Sequence, residues 1–188
     1  MAKKTPALFL DRDGVIIEDR GHVYKKKDIV LIPGSAHAIA RMNAMGVPVV
    51  VVTNQAGIGR GLYTEADFHT AQDYITQLLA SFDAHLNATY FCPHHPDAGC
   101  ECRKPRPGML LQAALEMDLN LQRSLMVGDK LSDLEAGRAV GCYTILARTG
   151  YGRSVEAHAH RHGIPTWDKV FNSLGAATDF LIEYFKGE

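Results

Sequence analysis

The stretch Ala7-Leu8-Phe9-Leu10-Asp11-Arg12-Asp13-Gly14-Val15 decides the fold. A short apolar run stops abruptly at two carboxylates two residues apart, with a glycine straight after. This is the pattern of a buried strand that delivers paired acids to its C-terminal edge. In a doubly wound parallel sheet that edge is where ligands bind. Gly14 lets the chain turn away without a side chain crowding the acids. Two carboxylates this close repel each other unless a cation or a shared proton compensates. Mg2+ meets that need with oxygen ligands and leaves room for a substrate phosphate.

Outward from this strand, Val47-Pro48-Val49-Val50-Val51-Val52 is a continuous apolar run, as expected of a strand buried on both faces, and it ends in Thr53-Asn54-Gln55. Ala88–Phe91, Leu125–Val127 running into Gly128-Asp129, Tyr143–Leu146, and Trp167 with Val170-Phe171 predict further strands. Helices are expected between them: after Pro33-Gly34 with Ser35 as cap and Gly46 as stop, from Thr64-Glu65-Ala66-Asp67 to about Ser81, over Gly108–Met117, over Ser132–Ala139, and over about Leu174–Phe185. Strands alternating with helices imply right-handed crossovers and a mostly parallel central sheet. The expected fold is therefore α/β: a doubly wound, Rossmann-like three-layer sandwich, one domain over residues 1–188, with minimal cap insertions. Ile16 to Val30, polar and broken by Gly21 and by Lys25, Lys26 and Lys27, reads as a loop over the strand ends, the lysines forming a solvated face. Gly57-Ile58-Gly59-Arg60-Gly61 lacks the spacing of a dinucleotide fingerprint. His158, His160 and His162 fall on a helix surface, and Cys142 reads as a small buried residue beside the fifth strand.

The chain has 188 residues, 46% of them apolar, enough for one well-buried domain and too few for two. Twenty Lys+Arg against twenty-one Asp+Glu give no general electrostatic footprint for nucleic acid. No apolar run approaches the roughly 20 residues that span a bilayer, so no membrane partner is expected. Met1–Pro6 leads into a short strand rather than into a signal-peptide apolar core. A soluble, cytoplasmic monomer is expected.

Cys92-Pro93-His94-His95-Pro96-Asp97-Ala98-Gly99-Cys100-Glu101-Cys102 holds two Cys/His pairs at i,i+2 spacing around a turn. Three thiolates and one imidazole make the closed tetrahedral set that structural Zn2+ prefers, whereas a catalytic zinc keeps an open position. Cys92, His94, Cys100 and Cys102 are assigned as ligands, with His95 competing for the histidine place. Arg103 and Lys104 follow directly, so the ion would hold two cationic donors over the strand ends. Asp11 and Asp13, Thr53 and Asn54, Arg103 and Lys104, and Asp129, Lys130 and Asp133 then converge on one sheet edge. Together they meet the needs of phosphoryl transfer: a nucleophile, a cation site and donors for the equatorial oxygens. Asp133 reads either as support for Lys130 and the metal or as a cap in the first turn of the next helix.

Asp11-x-Asp13-Gly14, Val52-Thr53-Asn54, Lys104-Pro105 and Val127-Gly128-Asp129-Lys130-x-x-Asp133, in this order, resemble the haloacid dehalogenase superfamily of phosphotransferases over roughly residues 7 to 150. The resemblance implies Asp11 as nucleophile, Asp13 as general acid and base, and Mg2+ held by Asp11, the Asp13 carbonyl and Asp129. It also implies Thr53 and Lys104 on the transferring oxygens, with Lys130 beside them. The loop Cys-x-His…Cys-x-Cys-Arg-Lys-Pro-x-Pro-Gly narrows the resemblance to the family of histidinol-phosphate phosphatases and heptose bisphosphate 7-phosphatases. Asp11-Arg12-Asp13-Gly14, Thr53–Ile58, Cys92–Pro96 and Gly108–Leu111 favour the heptose branch. That branch implies a small phosphosugar substrate, D-glycero-D-manno-heptose 1,7-bisphosphate, losing its 7-phosphate on the way to the nucleotide-activated heptose of surface polysaccharide. It also implies Asp19, Arg20, Gly21, His22, Thr53, Asn54, Gln55, Ala56 and Arg103 around the sugar. Val15 stands where threonine is frequent, and Arg20-Gly21-His22 and Lys25–Lys27 depart from the pattern. Histidinol phosphate, 3′-phosphates of nucleic acid ends, and a zinc-loop binding module on an inactive fold stay open as alternatives.

Overall fold

Six parallel strands make the central sheet of the structure, a computed structural model that describes residues 4–163 and 167–187. Met1–Lys3 of the start considered above, and the side chain of His162, lie outside the described residues. In chain order the elements are β1 (Leu8–Leu10), α1 (Ser35–Ala44), β2 (Val49–Asn54), α2 (Ala56–Gly59), α3 (Glu65–Ala80), β3 (Ala88–Cys92) and α4 (Gly108–Glu116). They continue with β4 (Leu125–Gly128), α5 (Leu131–Ala139), β5 (Tyr143–Ala147), α6 (Gly152–His162), β6 (Lys169–Phe171) and α7 (Thr178–Lys186). The strand order is β3-β2-β1-β4-β5-β6, the α/β arrangement expected.

Alternate side chains of β1 enter different layers, as a period of two requires. Leu8 and Leu10 join Val49, Val51, Leu125 and Val127 in a core covered by α1, α3 and α7. Ala7 and Phe9 join Val50, Val52 and Met126 in a second core covered by α4 and α5. The strand order reverses at β1, whose neighbours are β2 and β4, and the crevice outside the carboxyl ends at such a switch point is the natural ligand site of an open α/β sheet. Register then decides what meets there. Leu10 pairs with Val127, so Asp11 and Asp129 leave adjacent strand ends one residue apart in register, and the Asp11 N–H donates to the Val127 carbonyl at 3.0 Å.

Three local expectations differ. Ser35 is the first residue of α1 rather than its cap; Gly34, in the left-handed region at φ 82°, takes the N-cap, and the Ser35 hydroxyl donates to the Ile16 carbonyl instead. Residues 16–30 do not simply overlie the strand ends, because Val15, Ile16 and Ile17 are fully buried and Ile17 bridges to both Asp13 and Leu31. Three apolar side chains in a row turned this segment inward. A 3-10 turn, Gly175–Ala177, precedes α7, which therefore starts four residues later than the periodicity predicts. The Thr64 capping box at the start of α3 and the burial of Cys142 follow the expectation.

Candidate active site

Lys104 is the electrostatic hub of the crevice. Its Nζ is fully buried and donates to Asp11 Oδ1 at 2.9 Å, to Asp133 Oδ1 at 2.7 Å and to the Val52 carbonyl at 2.6 Å, which uses all three of its protons. Burial pushes the ammonium down, but the Asp11 and Asp133 carboxylates outweigh it and hold Lys104 above its ordinary value. The loop carrying Lys104 is pinned to β2 by Asn54, whose side-chain amide accepts the Lys104 N–H and donates to the Lys104 carbonyl, both at 3.0 Å.

Asp11, Asp129 and Asp133 offer carboxylate oxygens within 4.8 Å of one another, all buried. Three clustered carboxylates have one fully buried ammonium among them, with Lys130 Nζ 3.9 Å from Asp129 Oδ1, so a divalent cation would relieve their repulsion. Asp129 shows the strain: burial and then the neighbouring Asp11 push its carboxyl up to about 8. One oxygen, Oδ2, accepts the Tyr151 N–H at 2.8 Å, while the buried Oδ1 has no hydrogen-bond partner. Such a buried orphan acceptor beside Asp11 is what a metal ligand looks like before its ion. Glycine shapes the place: a Cβ on Gly14 (φ +87°) or on Gly150 (φ +53°) would run into the Asp129 carboxylate. Asp133 is committed on both oxygens, Oδ1 to Lys104 and Oδ2 to the Lys130 N–H at 3.0 Å, so it caps α5 and steadies Lys104 at once.

Asp13 stands apart from this triad. Arg12 donates to its carboxylate through Nε at 3.0 Å and Nη2 at 3.1 Å, and Gln55 Nε2 donates at 3.1 Å. Arg12 belongs to the Asp11-Arg12-Asp13-Gly14 signature but has no role assigned from sequence, yet it is only 1% exposed and lies against the Phe68 ring. Tyr63 was also missed; its hydroxyl donates to Gln55 Oε1 at 2.5 Å. Nothing in the polar, glycine-rich segment before Tyr63 signals its burial. The only local hint for Arg12 is that an arginine flanked by two carboxylates has an ion-pair partner at hand.

A cavity of about 520 Å³ opens above these groups, within the range of small-molecule sites. It brings together Asp11, Asp13, Asp19, Gly21, His22, Thr53, Asn54, Gln55, Ala56, Arg103, Lys104 and Lys130 from the expected set, and adds Arg60, Tyr63 and Tyr151. At its rim Lys130 Nζ donates to Asp19 at 2.8 Å and lies over the Tyr151 ring. Arg103 Nη1 is buried without a partner. Arg20 alone of the expected substrate set is not among the lining residues; its guanidinium pairs with Glu18 at 2.6 Å, half-exposed.

The Cys/His loop flanks the cavity. Cys92 Sγ lies 3.6 Å from His94 Nδ1 and 3.5 Å from Cys100 Sγ, with His94 to Cys102 at 3.2 Å and Cys102 to Cys100 at 3.5 Å. Tetrahedral zinc with Zn–S bonds of ~2.3 Å would set ligand atoms ~3.5 to 3.8 Å apart, so the four atoms fit that ion. His95 is elsewhere: its Nδ1 accepts the Asp97 N–H at 3.3 Å. Burial and the other two thiols push Cys102 up to about 12, while the hydrogen bonds of Cys102 and Cys92 outweigh burial at Cys100 and bring it to about 7. Three clustered thiols cannot all ionise without a cation. Backbone contact links the loop to the neighbouring turn, since a Cβ on Gly59 would meet the His94–His95 peptide.

The haloacid dehalogenase-like hydrolase model (HAD-hydrolase-like) matches residues 101–177. The chain is 44% identical over 182 residues, 93% of its length and 92% of the relative's, to D-glycero-β-D-manno-heptose-1,7-bisphosphate 7-phosphatase of Escherichia coli (strain K12). It is 39% identical over 187 residues, 94% and 95% of the two lengths, to D-glycero-D-manno-heptose-1,7-bisphosphate 7-phosphatase of Thermosynechococcus vestitus. Among solved structures it resembles D,D-heptose 1,7-bisphosphate phosphatase from B. bronchiseptica complexed with magnesium and phosphate, with TM-score 0.88 and 37% identity over 95% of this chain and 99% of that one.

Proposed function

The chain belongs to the heptose-1,7-bisphosphate 7-phosphatase family of haloacid dehalogenase-like hydrolases, and from that premise we propose that it removes the 7-phosphate of D-glycero-D-manno-heptose 1,7-bisphosphate through an aspartyl-phosphate on Asp11. The observation that carries this reading is Asp11 on the cavity lining beside the buried Asp129, whose Oδ1 has no hydrogen bond, with the Lys104 ammonium behind Asp11.

An Asp11 oxygen attacks phosphorus, forming a new P–O bond as the bond to the sugar oxygen breaks, and Asp13 gives that oxygen a proton. Asp13 then takes a proton from water, whose oxygen attacks the same phosphorus, releasing phosphate and restoring Asp11. Thr53 binds the transferring oxygens, and Lys104, its three protons committed to Asp11, Asp133 and the Val52 carbonyl, offsets the charge gathered there from behind Asp11. Asp11, Asp129 and the Asp13 carbonyl would hold Mg2+, which when bound supplies the positive charge that lets an anionic nucleophile meet an anionic phosphate. Cys92, His94, Cys100 and Cys102 would hold Zn2+ in a structural role. Lys130 sits at the cavity rim, and Arg103, with its unpartnered buried Nη1, is reserved for the substrate. Cysteines of the loop that form no disulfide suit the reducing cytoplasm, and one continuous sheet supports a single domain.

The test is phosphate release from the heptose bisphosphate with Mg2+, followed by phosphorus NMR. Loss of the signal at position 7 with the anomeric phosphate intact is expected. No release, or release from position 1 alone, would contradict the assignment.

A further inference from the structure

Gln55 falls within the turn that the family resemblance places around the sugar, but its hydrogen bonds give it another job. We propose that Gln55 is a positioning residue: with Tyr63 and Arg12 behind it, its amide sets the Thr53 hydroxyl and the Asp13 carboxylate toward the phosphoryl group, and it does not hold the sugar. This rests on the reading of Asp13 as general acid given above.

An amide has two donors and two acceptor sites, and all four are used. Nε2 donates to Thr53 Oγ1 at 2.8 Å and to Asp13 Oδ2 at 3.1 Å. Oε1 accepts from the Tyr63 hydroxyl at 2.5 Å and from Arg12 Nη2 at 3.3 Å. The orientation of the amide is set by Arg12, which can only donate, so the flipped amide would turn one N–H toward another. The buried Gln55 side chain thus has no polar capacity left for a substrate hydroxyl.

The consequences reach the two reacting contacts. Because Thr53 Oγ1 already accepts an N–H, its own proton is left to be donated elsewhere, and Thr53 lines the cavity. Asp13 is fixed by donors on both oxygens. The support behind Gln55 is rigid: Tyr63 is buried, stacks on Tyr24 at 4.8 Å between ring centres and 13° between planes, and fills the space that a Cβ on Gly57 would occupy. Arg12 is anchored in turn by donation to the Val23 carbonyl at 2.8 Å.

First-turnover release of the leaving group, measured by rapid quench with Mg2+, isolates the step in which Asp13 gives its proton. A sugar alkoxide needs that proton; p-nitrophenolate does not. For Gln55→Met, which keeps the volume, the first-turnover rate on the heptose bisphosphate should fall about 10²-fold, with half-saturation changed less than about threefold. On p-nitrophenyl phosphate the fall should be about 10-fold, because only the Thr53 contact is lost. Tyr63→Phe should move both rates in the same pattern, by about fivefold on the sugar. Equal falls on the two substrates, or a raised half-saturation with the rate unchanged, would overturn the proposal. Asp13→Asn, run in parallel, should lose the sugar reaction selectively. If it does and Gln55→Met does not, the positioning role alone fails; if it does not, the reading of Asp13 fails and takes this inference with it.

Discussion

The carboxylate centre and the Cys/His loop, joined in the chain through Arg103 and Lys104, are built by opposite means. The centre gathers Asp11, Thr53, Lys104 and Asp129 from distant parts of the chain; Lys104 meets Asp11 across 93 positions. Sheet register and two apolar cores hold those ends in place, and the buried ammonium of Lys104 makes the acids tolerable together. The loop draws its four clustered Cys and His side chains from eleven consecutive residues, only Cys92 of them fully buried, with Gly99 and Glu101 exposed between them. The centre can therefore stand without a metal, whereas the loop, held at its ends by Cys92 in the core and by Asn54, would rely on the proposed Zn2+ to organise the turn between them.

The strongest way to break that contrast is Asp11→Asn. Turnover should fall on the order of 10⁶-fold, the scale on which removing a nucleophile acts. The fold should survive, because one repulsive charge leaves the cluster while Lys104 keeps Asp133. Steady-state phosphate release and a thermal melt check both halves; residual activity within 100-fold of wild type would show that Asp11 is not the attacking group. Lys104→Met tests the other side. Removing one partner from a buried charge cluster costs about 3–5 kcal/mol, so the melt should drop sharply where Asp11→Asn leaves it in place. Equal melts for the two variants would mean that Lys104 does not balance these acids.

For the loop the expected order is reversed. Stripping zinc with a chelator, or Cys102→Ala, should lower activity about 10- to 100-fold while leaving the far-ultraviolet circular dichroism and the Mg2+ affinity nearly unchanged. A global loss of helix signal on chelation would show that the loop supports the sheet, and the contrast between the two regions would fall.

Proton linkage sharpens the comparison further. In the metal-free protein Asp129 is pushed up to about 8 by burial and by Asp11, far above the ordinary 3.8. The folded chain then keeps a proton that the unfolded chain has lost, so metal-free stability falls as pH rises from about 4 to about 8. Mg2+ would take the proton's place, and the rise in melting temperature on adding it should be larger at about pH 8.5 than at about pH 6. A rise independent of pH would mean that Asp129 is already ionised before the ion arrives.

What sequence made legible follows the same division. The ends of β1, β2 and β4 were visible because an apolar run stopping at Asp or Thr is a local pattern, and the loop was visible because ligand spacing is local too. Arg12 and Tyr63 were not. Arg12 would point away from Asp11 and Asp13 by strand alternation, but β1 ends at Leu10 and the turn through Gly14 folds its guanidinium back onto Asp13. Tyr63 is carried to Gln55 by the single turn of α2, whose glycines gave no sign of which side chain they were making room for. Ser35 misled for a related reason: Gly34, in the left-handed region, had already taken the cap.

The smallest expected effect falls on Arg20. Motif resemblance treats Asp19, Arg20, Gly21 and His22 as one run around the sugar, but neighbouring side chains in an irregular segment need not face the same way. Asp19 turns in to Lys130, and Gly21 and His22 line the cavity. Arg20 turns out and pairs with Glu18, at half exposure on both sides, where an ion pair is worth little. Arg20→Ala should therefore change kcat/KM for the heptose bisphosphate by less than about twofold and stability by less than about 0.5 kcal/mol. Lys130→Ala at the rim should lower kcat/KM by about 10-fold or more, since it removes a charge beside Asp129. If Arg20→Ala proved as damaging as Lys130→Ala, the segment would have to turn over when substrate binds, and the inward and outward faces assigned to residues 19–22 would be those of the empty cavity only.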